Sequence, residues 1–149
     1  MRAVSRLKGA RPMDNELLKD ILLHAKTIAV VGLSRSPEKE SHAVARYLQG
    51  QGYRVIPVNP NAQELLGEKS YPDLLSIPES VDIVNIFRPS SAVMPIALQA
   101  VEINSSSLWM QVGIVHHEAA RLAAQAGLKV VMDRCIMVDH QKLRLLDKK

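Results

Sequence analysis

A loop with hydroxyl and basic side chains follows a short apolar run at residues 28–31. Gly32 ends the run, Pro37 keeps the chain out of a helix until about Glu38, and an amphipathic segment starts near Ser41. In α/β proteins, a strand, a glycine turn and a helix N-terminus in this order bind phosphate. The glycine lets the backbone approach the ligand, and the free N–H groups of the first helical turn face the anion. The sequence therefore predicts a phosphate-binding loop.

Five side chains in and after this loop could contact a phosphate. Ser34, Ser36 and Ser41 can donate hydroxyl hydrogen bonds, and Arg35 and Lys39 can supply positive charge. Together with Arg88 they favour a nucleotide that carries several phosphates, because hydrogen bonds to an anion are strengthened by a charged donor.

The same stretch departs from the pattern of nicotinamide dinucleotide sites. The later glycine positions of that pattern hold Ser34 and Pro37. The second apolar run ends at Asn59 where NAD sites carry an acid, no carboxylate follows until Glu64, and no arginine stands nearby for NADP. NAD and NADP are therefore disfavoured as ligands.

Apolar runs alternate with amphipathic segments along the chain. The predicted strands are residues 28–31, 54–58, 81–87, 107–110 and 129–132. The predicted helices are one capped by Asp14 and ending near His24, one from about Ser41 to Gly50, one opened by residues 89–91, and one from about His116 to Ala126. Short helical turns are predicted at residues 65–66 and 74–75, and a final turn or short helix after residues 133–135.

This alternation predicts an α/β fold with a single Rossmann-like, right-handed, doubly wound parallel sheet. The predicted strand order is 3-2-1-4-5, with ligand bound beyond the strand C-termini at the reversal beside the first strand. The residues that follow the strands and face this cleft are Gly32, Leu33, Ser34, Arg35, Asn59, Pro60, Arg88, Pro89, Gln111, Arg134 and Cys135.

Composition limits the function classes. Four of the 19 lysine and arginine residues precede Met13, namely Arg2, Arg6, Lys8 and Arg11. The rest of the chain therefore has 15 basic and 15 acidic residues and no net charge. The positive charge therefore does not indicate nucleic-acid binding, and no apolar run approaches the length that spans a bilayer. We expect residues 1–12 to be a flexible basic tail and residues 13–149 to be one domain. The single cysteine excludes an internal disulfide, which suits a cytoplasmic protein.

Catalytic and metal-binding interpretations are weak. Cys135 beside Arg134 could be a thiolate nucleophile, but a small residue packed at a strand end is the simpler interpretation. Adjacent residues 116–117 point about 100° apart on a helix and do not converge on a metal. No hydrolase elbow or P-loop lysine motif is present.

Three further polar or aromatic residues have simple structural explanations. His42 follows the helix cap, where it either contacts a phosphate or is a solvated first-turn residue. His140 is most simply a surface residue, and Trp109 is expected in the sheet core because it lies within a buried strand.

Six segments together resemble the small bacterial CoA-binding proteins, which are stand-alone versions of the CoA-binding domain of succinyl-CoA synthetase α subunits. The segments are residues 31–34, 41–48, 52–60, 82–88, 109–111 and 133–136. The resemblance covers residues 17–143 and implies a Rossmann-like fold that holds CoA with its diphosphate on the loop after the first strand. It implies phosphate contacts at Gly32, Ser34 and Arg35, the nucleotide beside residues 58–60, and further contacts at Phe87 and Arg88.

The phosphorylated histidine of the synthetase belongs to a second domain, for which no sequence follows here. The resemblance therefore does not imply the complete synthetase activity. We predict a domain that binds coenzyme A or acyl-CoA without chemistry of its own. The alternative is an enzyme, either a nicotinamide-dependent oxidoreductase or a subunit of an acyl-CoA-handling complex with a protein partner.

Overall fold

The strand β1 (Thr27–Val31) lies inside a five-stranded parallel sheet in the computed structural model, which describes residues 15–147. Both faces of β1 are covered, and Ile28, Ala29 and Val30 are fully buried, as expected for an aliphatic strand in a parallel sheet. The remaining strands of this sheet are β2 (Arg54–Val58), β5 (Ile83–Ile86), β6 (Ser107–Met110) and β7 (Lys129–Val131). Between β2 and β5, β3 (Glu64–Leu65) and β4 (Glu68–Lys69) form a separate antiparallel hairpin.

The predicted fold class is confirmed, but the predicted strand order is wrong. The observed order is β2-β1-β5-β6-β7, which is 2-1-3-4-5 when only the strands of the large sheet are counted. The strand predicted third, β5, pairs with β1 on the side opposite β2. This order also belongs to the doubly wound folds, and its reversal point lies between β1 and β5.

Helices cover the two faces of the sheet in separate layers. The helices α1 (Asn15–His24), α2 (Glu40–Gly50) and α5 (Ile136–Asp147) pack on the face that carries Ile28 and Val30. The helices α3 (Val93–Glu102) and α4 (His117–Gln125) pack on the face that carries Ala29 and Val31. Because successive strand residues point to opposite faces, one aliphatic run supplies both cores.

The connection from β2 to β5 explains the misplaced strand. It contains the β3–β4 hairpin and a 3₁₀ helix, Leu74–Ser76, whose Leu74 belongs to the core on the α3 side. The first crossover, through α2, covers the opposite face. Two right-handed crossovers on opposite faces run in opposite directions along the sheet, so the chain returns from β2 past β1 and places β5 on the other side of β1. The connection has no helical periodicity that would reveal this face from sequence.

The short helical turn predicted at residues 74–75 is confirmed, whereas the one at residues 65–66 is wrong. Leu66 and Gly67 form the two-residue turn of the β3–β4 hairpin, with φ angles of 54° and 77°. Positive φ at both central residues is typical of the tight hairpin turn that matches the strand twist.

Pro57 is compatible with its strand because β2 is at the edge of the sheet. Its missing N–H therefore costs no bond to a second neighbouring strand of the large sheet. The Pro57 carbonyl still accepts a hydrogen bond from Tyr71 N at 3.1 Å.

The C-terminal segment forms a full helix, α5, of 12 residues, rather than a turn or short helix. Ile136 and Leu143 bury one of its faces against the core. Trp109 is fully buried, as predicted, and its indole N–H donates to the Arg134 carbonyl at 2.9 Å. The predicted tail, residues 1–12, and the Asp14 cap lie outside the described residues. Within the described residues, no helix is both long and apolar enough to cross a membrane.

His140 is not the surface residue that was predicted. Its ring is half-buried on α5 and packs edge-to-face against Tyr47 and Tyr53. The Tyr47 hydroxyl lies 2.7 Å from His140 Nδ1, and burial, together with the nearby Arg144, lowers the pKa of His140. Burial also raises the pKa of Tyr53 to about 12, and its hydroxyl donates to the Leu22 carbonyl.

We expect the free energy of unfolding to decrease as the pH falls through the ordinary histidine pKa of about 6.5. The unfolded chain then takes up a proton that folded His140 still resists, so protons favour the unfolded state until the lowered folded pKa is reached. Urea denaturation of the wild type and of His140→Gln between pH 5 and 8 measures this effect, with the variant removing this one contribution. Parallel pH profiles for the two proteins would contradict the assignment.

Candidate functional site

Gly32 ends β1 in a turn that requires glycine. Its φ is +91°, and its N–H donates to the Val58 carbonyl at 3.0 Å. A β-carbon at this position would lie 2.9 Å from the Phe87 carbonyl oxygen and 3.1 Å from Arg88 Cδ. The turn therefore lies against the residues that follow β5, a proximity that the corrected strand order explains.

The loop after Gly32 is held by its own serine side chains. Ser34 N donates to Ser41 Oγ at 2.9 Å, and Ser36 N donates to Ser34 Oγ at 3.0 Å. Each hydroxyl oxygen accepts a bond in the loop and still has its own proton to donate. The helix α2 begins at Glu40, and its N-cap residue, Lys39, makes no side-chain capping hydrogen bond with the described residues.

Asn59 connects the loops that follow β1 and β2. Its Nδ2 donates to the Leu33 carbonyl at 2.9 Å, and its Oδ1 accepts from Asn61 N at 2.8 Å. An aspartate at this position could not donate to the Leu33 carbonyl and would place a negatively charged carboxylate oxygen against that carbonyl oxygen. The residue at the position of the NAD-site acid thus has a defined structural role here.

A cleft of about 430 Å³ opens beyond the carboxyl ends of β1 and β2. Six predicted site residues line it: Gly32, Leu33, Ser34, Asn59, Pro60 and Arg88. Its other walls include Asn61, Asp73 and Gln99, which the sequence analysis missed. The pattern of Asp73 three residues before Ser76 is a helix-capping signal, but it gives no indication that Asp73 faces a cleft.

The other predicted site residues lie outside the lining of this cleft: Arg35, Lys39, Ser41, His42, Phe87, Gln111, Arg134 and Cys135. Arg35 and Lys39 are exposed on the segment between Ser34 and α2. Any contact they make with a ligand therefore involves groups outside the cleft.

His42 is not the solvated first-turn residue that one interpretation predicted. Its exposed fraction is 8%, and its Nδ1 has no hydrogen-bond partner among the described residues. The alternative, a phosphate contact, stays a prediction.

Gln111 belongs to a buried polar network at the end of β6. Its Oε1 accepts from Asn85 Nδ2 at 3.1 Å and from Ile136 N at 3.0 Å. Since a backbone N–H can only donate, the bond from Ile136 fixes the orientation of the Gln111 amide. The network joins β5, β6 and the start of α5.

Arg134 and Cys135 follow β7 and have structural contacts. Arg134 Nε and Nη2 donate to the two carboxylate oxygens of Asp139 at 2.7 and 2.8 Å. These hydrogen bonds to the Asp139 carboxylate raise the pKa of Arg134. Cys135 is partly buried and packs against the core on the α1, α2 and α5 side.

Among the described residues, no group of three or more histidine, cysteine, aspartate or glutamate side chains could hold a metal ion. His116 instead caps α4, with Nδ1 accepting from Ala119 N at 3.1 Å, and His117 is exposed. The two adjacent side chains have different environments because His116 is the extended N-cap residue, whereas His117 is the first residue of the helix.

The parallel sheet, its reversal between β1 and β5, and the glycine turn at that reversal define a Rossmann-like α/β domain. More narrowly, the chain belongs to the CoA binding domain family, whose sequence profile matches residues 26–141.

Three comparisons show what the chain resembles. It is 42% identical over 123 residues to the uncharacterized protein YneT of Bacillus subtilis, covering 83% of this chain and 91% of that protein. The structure of a hypothetical protein from Pyrococcus horikoshii OT3 has a TM-score of 0.86 and 36% identity, covering 93% of this chain and 99% of that one. The ADP-forming acetate–CoA ligase II of Archaeoglobus fulgidus is 34% identical over 83 residues, covering 54% of this chain but only 12% of the ligase.

Proposed function

We propose that this domain binds coenzyme A or an acyl-CoA, with the nucleotide in the cleft beyond β1 and β2 and the diphosphate against the Gly32 turn. The observation that carries the proposal is the packing of Arg88 across that turn, with Cδ 3.1 Å from where a Gly32 β-carbon would be. Arg88 also lines the cleft, so its side chain contacts both the Gly32 turn and the space proposed for the ligand. Membership of the CoA binding domain family supports the choice of ligand.

The hydrogen bonds of the loop decide which groups are free for a phosphate. The N–H groups of Gly32, Ser34 and Ser36 already have acceptors within the protein. The side-chain donors in the proposal are the Ser34 hydroxyl and the Arg88 guanidinium, in addition to the N–H groups at the N-terminus of α2, whose N-cap residue Lys39 makes no side-chain capping bond within the described part of the chain. The proposal assigns these donors a role in binding alone.

Ligand-dependent stability tests the proposal. A ligand at about 100 times its Kd should raise the free energy of unfolding by roughly 2.7 kcal/mol, so CoA and acetyl-CoA should raise the melting temperature. NAD at equal concentration should not, because Asn59 stands in place of the acid that binds the NAD ribose and its amide donates to the Leu33 carbonyl. A rise with NAD and none with CoA would overturn the proposed function.

A second candidate is a subunit of an acyl-CoA-forming enzyme. The similarity to part of an acetate–CoA ligase favours it, since that ligase is several times longer than the matched segment. In that case the chain would hold CoA for a protein partner that carries the remaining catalytic groups. Turnover of CoA by the isolated chain would contradict both this candidate and the binding module.

A further inference from the structure

Two polar side chains on the far wall of the cleft have their orientations fixed by neighbouring backbone. Leu74 N donates to Gln99 Oε1 at 3.1 Å. Since the backbone N–H needs an acceptor, the amide oxygen must face Leu74, which leaves Gln99 Nε2 as a free donor. Asp73 Oδ1 accepts from Ser76 N at 2.9 Å and from Ser76 Oγ at 2.7 Å.

These bonds leave one donor and one acceptor in the lining of the cleft. Gln99 Nε2 and Asp73 Oδ2 have no hydrogen-bond partner within residues 15–147. Asp73 directly precedes Leu74, whose N–H is bonded to Gln99, so the two residues are linked through the Leu74 backbone and both line the cleft. A carboxylate oxygen beside an amide N–H is complementary to a ligand edge with one donor and one acceptor.

We propose that Asp73 and Gln99 recognise the 6-amino edge of adenine, so that the cleft selects adenine nucleotides over nucleotides with a 6-oxopurine. This inference rests on the proposed binding of CoA and names the part of the ligand that the far wall contacts. Adenine presents the N6 amino donor beside the N7 acceptor, whereas guanine presents two acceptors, O6 and N7. With a 6-oxopurine, the Asp73 carboxylate would face the O6 acceptor and find no donor. A binding site discriminates strongly against an analogue that leaves one of its polar groups unpaired in this way.

The charges in the cleft support this orientation of the ligand. Of the described residues that line it, Asp73 carries the acid and Arg88 the cation, on different segments. Because like charges repel, a polyphosphate is bound more favourably beside the Arg88 guanidinium than beside the Asp73 carboxylate. The phosphates therefore belong beside Arg88 and the amino group beside Asp73. Pro60, Pro72 and Ile96 line the same cleft and offer apolar surface for a purine ring.

The isosteric substitution Asp73→Asn tests the inference. Asparagine keeps the oxygen that caps Ser76 but replaces the free acceptor by a donor. The probes are adenosine 3′,5′-bisphosphate and inosine 3′,5′-bisphosphate, measured by calorimetric titration. The wild type should bind the adenosine form at least about tenfold more tightly, and Asp73→Asn should abolish or reverse that preference.

Two further variants keep the test decisive. Ser76→Ala removes a bond to Asp73 Oδ1 without touching the free oxygen, so it should retain the preference for adenine. Gln99→Glu keeps the acceptor for Leu74 but loses the free donor, so it should reduce that preference even if Asp73→Asn does not fold. Equal binding of both bisphosphates by a wild type that binds CoA overturns this inference alone. Failure of the wild type to bind CoA overturns the proposed function.

Discussion

Gly32→Ala is expected to lower the free energy of unfolding by about 2–5 kcal/mol and to abolish CoA binding. Placing a non-glycine residue at φ +91° costs roughly 1–2 kcal/mol. The new β-carbon would also lie 2.9 Å from the Phe87 carbonyl oxygen, a backbone atom that cannot rotate away, and such overpacking adds about 1–3 kcal/mol. Relief requires β1 and β5 to separate where the proposed diphosphate site is formed. Urea denaturation and calorimetric titration with CoA measure the two effects.

Gly127→Ala is the matched control for this substitution. Gly127 has a φ of +100°, but no atom of the described residues lies within 4 Å of its β-carbon position. The free energy of unfolding of the control should therefore fall only by the roughly 1–2 kcal/mol that a non-glycine residue at positive φ costs, and the affinity for CoA should not change. Equal losses of stability in the two variants, with CoA affinity retained in both, would show that the close approach at Gly32 has no role in binding.

The strands could be predicted from sequence because their signals are local. The bounds of β2 and β6 were predicted without error, since each is a short run rich in apolar residues bounded by polar or glycine-containing segments. Gly32 and Asn59 could be placed in the cleft for the same reason, because they directly follow β1 and β2. A residue next to a strand in the sequence must also lie near the end of that strand in space.

The strand order and the far wall of the cleft could not be predicted in this way. Both depend on the connection between β2 and β5, which returns the chain to β1 through a hairpin and a 3₁₀ helix. Asp73 and Gln99 reach the cleft through that path, and they are 26 residues apart in number but adjacent through Leu74. Contacts of this kind arise from packing between segments and have no periodic sequence signal.

The observed strand order also gives different positions to Arg35 and Arg88, both of which the sequence predicted as phosphate ligands. The predicted order would place the residues after β5 beyond β2, away from β1, whereas the observed pairing of β1 with β5 brings Arg88 onto the Gly32 turn. Arg35 follows β1 directly but is exposed and does not line the cleft. The strand pairing therefore favours Arg88 as the principal phosphate ligand.

Arg88→Ala is accordingly expected to weaken CoA binding by about 10- to 150-fold, because a hydrogen bond to a charged group contributes roughly 1.5–3 kcal/mol. The fold should be little affected, since Arg88 is exposed and forms no ion pair with the described residues. Calorimetric titration with CoA gives the affinity, and thermal unfolding without ligand gives the stability.

Arg35→Ala, in the loop that follows β1, is the control. It should weaken CoA binding less than Arg88→Ala does, because the Arg35 side chain lies outside the lining of the cleft.

Dephospho-CoA, which lacks the 3′-phosphate, shows which phosphate of CoA Arg88 contacts. If Arg88 holds the diphosphate at the Gly32 turn, its removal should weaken CoA and dephospho-CoA by the same factor. A loss confined to CoA would assign Arg88 to the 3′-phosphate instead. Wild-type affinity of Arg88→Ala for both ligands would remove this residue from the site, and with it the observation on which the proposed diphosphate position depends.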